Sequence, residues 1–100
     1  MINTITGTVS TAGEDIYAVP GSKKIEVSLV RFIDTAADYH IYLYKFVRQT
    51  AAYTLIYRMQ LDAGDTLSDS STYVLYPGES LYAISTSAFT QYTLIINQLQ

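Results

Sequence analysis

Any catalytic role in this chain would have to begin at His40, its single histidine. A serine or cysteine nucleophile needs a neighbouring base. No cysteine is present, so a serine hydrolase would rest on His40 alone. His40 follows Asp38 and Tyr39 inside a stretch of strand character and reads as a rim or edge histidine. A catalytic zinc needs three protein ligands, which one histidine without thiolates supplies poorly. The carboxylates are Glu14, Asp15, Glu26, Asp34, Asp38, Asp62, Asp65, Asp69 and Glu79. Asp62, Asp65 and Asp69 cluster, but their spacing is not the alternate-position pattern of an EF-hand loop, and turn-forming aspartates describe them better. A pair of carboxylates for glycoside hydrolysis has no signature here, because a sandwich can bring any two close together. No Gly-rich phosphate loop occurs. The expected protein is not an enzyme, and it has no cofactor and no metal.

Composition narrows the partners. The net charge is −3 with a pI near 4.7, which argues against binding nucleic acid through a basic face. Lys23 and Lys24 are the only adjacent basic pair and read as a charged turn. Charged residues make up 15%, against about 25% in ordinary soluble domains, while the hydrophobic fraction of 49% is undepleted. Either the surface is neutral and rich in Thr, Ser and Gln, or much of it is covered in an assembly. With no cysteine, no disulfide framework exists. Residues 1–13 lack the basic and apolar regions of a signal peptide, and no apolar run approaches the ~20 residues of a membrane helix. The expectation is a soluble protein made in the cytoplasm, with no membrane partner.

The elements that position these residues are strands. Thr, Tyr, Ile and Val dominate and suit a pleated surface, and turn signals recur at short spacing. Residues 1–14 are expected to be an N-terminal arm or weak first strand, and residues 15–100 a β-sandwich domain. Pro20-Gly21 and Pro77-Gly78 each predict a type II turn, with Pro at the first and Gly at the second central position. In residues 24–34, Ile25, Val27 and Leu29 share one face, and a bulge is expected after Val30. Residues 53–61 alternate cleanly, placing Tyr53, Leu55, Tyr57, Met59 and Leu61 on one face and Tyr53 and Tyr57 in or near the core. Residues 65–71 are polar and read as a loop or irregular edge. The last strand, apolar on both faces, reads as central. The fold class is all-β: a single antiparallel β-sandwich of about seven to eight strands, jelly-roll or immunoglobulin-like.

Ten residues are tyrosine. In residues 39–47, Ile41, Leu43 and Val47 fall on one face, and Tyr42, Tyr44 and Phe46 on the other. One face fills a core; the other is aromatic. Ordinary packing, a protein interface and stacking on sugar rings all fit such a row. The candidate interface residues are Tyr42, Tyr44 and Phe46, with Ile2 and Ile5 from the first segment.

Three segments carry a resemblance. Residues 17–24 (YAVPGSKK), 61–67 (LDAGDTL) and 76–83 (YPGESLYA) resemble segments of small β-sandwich proteins of tailed-bacteriophage virions, over roughly residues 15–97. The match differs at the adjacent Pro20-Gly21 and at Glu79, where Asp is common. The resemblance implies a capsid decoration (cement) protein, or a neck or tail accessory subunit. It further implies a homo-oligomer, a trimer in many decoration proteins, bound to a major capsid protein in a virion. A carbohydrate-binding sandwich module is the alternative.

Overall fold

The computed structural model describes residues 2–99. Met1 and Gln100, the outermost residues of the two expected stretches, lie outside the described residues. Nine strands and no helix occur among those described: β1 (Ile2–Thr8), β2 (Glu14–Ala18), β3 (Ile25–Ile33), β4 (Tyr39–Val47), β5 (Ala52–Leu61), β6 (Thr66–Asp69), β7 (Tyr73–Leu75), β8 (Glu79–Ser85) and β9 (Gln91–Gln98). They form two antiparallel sheets, one ordered β1-β9-β3-β6 with β7 also on β3, the other β2-β8-β4-β5. Successive strands mostly change sheet, and β4–β5 is the hairpin of the second sheet. That order is a jelly roll of eight strand positions. β6 pairs with Val30–Ile33 and β7 with Ile25–Val27, so the two are one strand interrupted at residues 70–72. The eight positions agree with the seven or eight strands expected, and the ninth segment arises because the polar 65–71 stretch contains β6. Its side chains are polar because it lies at a sheet edge, where only Leu67, paired with Phe32, turns inward.

The core lies between the sheets. Val27, Val30, Phe32, Leu94 and Ile96 meet Tyr39, Ile41, Leu43, Leu81 and Ala83. β9 is central, between β1 and β3, which explains its apolar run. β1 pairs with β9 along its whole length, from Ile2↔Asn97 to Thr8↔Gln91.

Two bulges change the faces that alternation predicts. In β3 the register shifts between Val27 and Leu29, earlier than expected. Ser28 is the extra residue, so Val30 and Phe32 point inward, while Leu29 leaves the face of Ile25 and Val27. In the β4–β5 pair the register shifts between Leu43 and Tyr44: Leu43 opposes Tyr57, but Tyr44 opposes Leu55. Ile56 is the inserted residue. It packs toward the core beside Tyr57, and it sends Tyr53 and Leu55 to the opposite side. Tyr53 is 53% exposed, so it is no core residue.

The turns divide similarly. At Tyr76–Glu79 the Glu79 amide donates to the Tyr76 carbonyl at 3.0 Å, and Gly78 takes φ 84° at the second central position, as type II requires. The first Pro-Gly pair is shifted by one: the Lys23 amide donates to the Pro20 carbonyl, so Pro20 opens the turn and Gly21 (φ 57°) is its first central residue. Positive φ at that place belongs to the primed turns, which glycine enables whether or not proline precedes it.

Candidate interface on the aromatic sheet face

The outer face of the β2-β8-β4-β5 sheet is built by register. Phe46 opposes Tyr53 on β5 and Ser80 on β8; Tyr44 opposes Leu55 and Tyr82; Tyr42 opposes Arg58 and Ile84; His40 opposes Gln60. Leu43 and Ile41, between them, are fully buried on the other side. The result is a continuous apolar surface of seven side chains: Tyr42, Tyr44, Phe46, Tyr53, Leu55, Tyr82 and Ile84. No element of the described chain covers it.

The rings hold one another. Phe46 and Tyr53 lie 4.6 Å apart between centroids, tilted by 37°. Tyr53 meets Tyr82 edge-on at 5.0 Å, and Tyr44 meets Tyr53 at 6.1 Å and Tyr82 at 6.2 Å. Edge-to-face pairs of this kind contribute about 0.5–1.5 kcal/mol each, so the platform is preorganised. Tyr44, Tyr53, Tyr82 and Ile84 also line a shallow, open depression. Gly13 (φ 88°) is the floor beside it: a Cβ there would meet the Tyr82 hydroxyl at 2.2 Å and Ile84 at 2.8 Å. Only glycine combines that backbone with that approach.

Charge sits at the two margins. Arg58 is exposed on edge strand β5, and its side chain has no hydrogen-bond or ion-pair partner among the described residues. Asp15, exposed on the opposite edge strand β2, faces outward with Tyr82 and accepts a 3.0 Å hydrogen bond from Ser80 Oγ. His40, half-buried near Tyr42 and Arg58, donates its backbone amide to Thr86 Oγ1.

Tyr42, Tyr44 and Phe46 therefore stand together. Ile2 and Ile5 are elsewhere: Ile2, 70% exposed, is on β1 of the other sheet, and Ile5 packs against the core. Tyr53, Leu55, Tyr82 and Ile84 were not singled out by sequence. Tyr82 and Ile84 alternate with the inward Leu81 and Ala83 and were findable by period; Tyr53 and Leu55 were hidden by the bulge.

Titratable groups with displaced behaviour lie away from this face. Asp34 is buried where the 34–38 and 85–91 connections meet. Its Oδ1 accepts the Ala36 and Ala37 amides at 2.9 and 3.0 Å, and its Oδ2 accepts the Thr90 hydroxyl at 3.0 Å. Thr90 Oγ1 lies 2.6 Å from Ser85 Oγ. Burial alone would raise this carboxyl, but hydrogen-bond donors at Ser87, Ala36, Ala37 and Thr90 hold it below the ordinary value. Asp69 accepts the Tyr73 hydroxyl in a very short contact and the Ser71 amide at 2.9 Å. Burial and that hydrogen bond push Tyr73 up to about 12. Burial, with Asp69 and Tyr73 nearby, pushes Tyr57 far higher than an ordinary tyrosine, and the Tyr57 hydroxyl is buried without a partner. Asp62 and Asp65 are turn residues, the Asp65 amide donating to the Asp62 carbonyl at 3.0 Å.

No family model matches the sequence, and no curated protein does. Solved structures do. A chain from the disulfide-linked pili of Bacillus endospore appendages superposes with a TM-score of 0.55 at 17% identity, covering 100% of this chain and 87% of that one. A pentameric capsid protein from metagenomic phage sequences gives 0.52 at 17% identity over 97% of this chain and 62% of its own. A chain of the T13 IBDV viral particle gives 0.56 at 7% identity, over 96% and 30%. The likeness is one of fold. The same overall fold thus occurs in a pilus chain, a phage capsid protein and a chain of a viral particle.

Proposed function

We propose that the protein is a non-enzymatic structural subunit of a bacteriophage virion, a decoration protein that associates with copies of itself and binds the capsid shell. The observation that carries this reading is the aromatic face: seven apolar side chains, five of them rings, preorganised on an uncovered sheet of a charge-poor chain. Contiguous apolar patches of this kind mark interaction sites. The resemblance in residues 17–24, 61–67 and 76–83 supports the virion setting. Structural neighbours that are themselves assembly subunits support it too. In this reading β1, an edge strand of the sandwich with Ile2 exposed, is the side that meets the major capsid protein. Many modest contacts on a lattice act together, so each alone need not be strong.

Light scattering on purified protein tests the reading. A multiple of the 11.2 kDa chain mass at micromolar concentration is expected, and a clean monomer counts against it. Tyr44→Ser is expected to weaken self-association about thirtyfold or more, as for a central aromatic anchor. The same change is expected to cost the fold only about 1–2 kcal/mol, because Tyr44 is half-buried and packs on rings rather than in the core. The reverse pattern would show this face to be core. The shallow depression between Tyr44, Tyr53 and Tyr82 favours one second reading, stacking on a sugar ring; quenching of tyrosine fluorescence by glycans in a monomeric protein would select it.

A further inference from the structure

The two charged margins of the aromatic face say how a second copy lies on it, given the self-association proposed above. Columns across the face run β2, β8, β4, β5, so Asp15 and Arg58 occupy opposite outer columns. Their rows differ by one residue pair: Asp15 shares the row of Tyr82 and Tyr44, and Arg58 that of Ile84 and Tyr42. We infer that two copies pack through this face about a two-fold axis parallel to the strands, running between β8 and β4, with Arg58 of each copy paired to Asp15 of the other.

Such an axis exchanges β8 with β4 and β2 with β5. It lays Tyr44 on Tyr82 and Tyr42 on Ile84. It sets Arg58 over Gly13, the one place in that row without a side chain and with Ile84 close by. Asp15 is two residues further along the chain, in β2, about 7 Å away, within the reach of an arginine side chain. The contact is isologous, so the pair forms twice. The other in-plane axis, across the strands, places β5 on β5 and β2 on β2; like charges then share a column, which disfavours it. Four strands at ~4.8 Å spacing and four residue pairs along them present roughly 500 Å² on each partner, so about 1,000 Å² in total. That is the small end of specific interfaces and fits micromolar association in which a charge pair selects the orientation.

Sedimentation velocity on Arg58→Asp, Asp15→Arg, their equimolar mixture and the double variant tests the inference. Each single variant is expected to self-associate about tenfold or more weakly, because like charges then meet twice. The mixture and the double variant are expected to recover wild-type association, since both contacts again join opposite charges. No recovery in either, with Tyr44→Ser still weakening association, overturns the orientation while the self-association reading stands. Association untouched by Tyr44→Ser overturns both. A wild-type mass of three chains with no two-chain species also overturns the two-fold contact.

Discussion

Replacing Asp34 by Asn isolates a buried carboxylate from its shape. Asp34 is 1% exposed, and its carboxylate accepts hydrogen bonds from two backbone amides and from Thr90, with the Ser87 side chain a further donor. Asn keeps an oxygen for the Ala36 and Ala37 amides but loses the charge, and its NH₂ replaces the acceptor facing Thr90. Hydrogen bonds to a charged group contribute about 1.5–3 kcal/mol each, and neutral ones about 1. Weakening two and reversing one gives an expected loss of about 2–3 kcal/mol near neutral pH. That is a large share of the ~5–15 kcal/mol available to a domain and about 10–20 °C in Tm at this size. Because the folded pKa lies below the ordinary ~3.9, the charge contribution is fully present above that value. It fades as pH falls through the lower folded value, where the native carboxylate must be protonated. Urea titrations at pH 7 and at steps from 5 to 2.5 are therefore expected to show the gap between wild type and variant closing in acid. A gap below about 0.5 kcal/mol at pH 7, or one that stays constant into acid, would refute this account of the 34–38 connection.

Tyr57→Phe is expected to be neutral or to stabilise by up to about 1 kcal/mol in urea melts, since the deleted hydroxyl is buried without a partner. Gly13→Ala is expected to cost about 2–3 kcal/mol and to displace the Tyr82 ring, seen in near-ultraviolet circular dichroism, because positive φ and the 2.2 Å approach act together. In an alkaline absorbance titration, Tyr17, Tyr39, Tyr57, Tyr73 and Tyr92 are expected to ionise above the ordinary ~10. The unfolded chain gives up those protons first, so stability falls as pH rises beyond that value.

Sequence reading succeeded where strands are buried in the middle of a sheet. β4 shows this best: strict alternation of Ile41 and Leu43 against Tyr42 and Tyr44 is enforced by a core on one side. β9 was legible for the same reason. It failed where the period slips. The alternation from Tyr53 to Leu61 is unbroken on paper, but Ile56 and Tyr57 both turn inward, so the apolar set divides between two faces. Nothing local distinguishes a bulge at Ile56 or at Ser28 from a regular residue, because the pairing partner decides it. β6 escaped notice since an edge strand needs little apolar content. Of the candidate site, the β4 contribution was legible and the β5 contribution was not.

The Ile56 bulge has a consequence for solubility. β5 is a ten-residue edge strand with Tyr53, Leu55 and Met59 exposed, the kind of border onto which another chain can add as a further strand and keep adding. A bulge at its middle breaks the even spacing of free amides and carbonyls that such templating needs. Omitting Ile56 alone would leave Tyr57 opposite Leu43 and Leu55 opposite Tyr44, both faces intact. What that one residue supplies, beyond a little core packing, is an uneven edge onto which a further strand adds poorly.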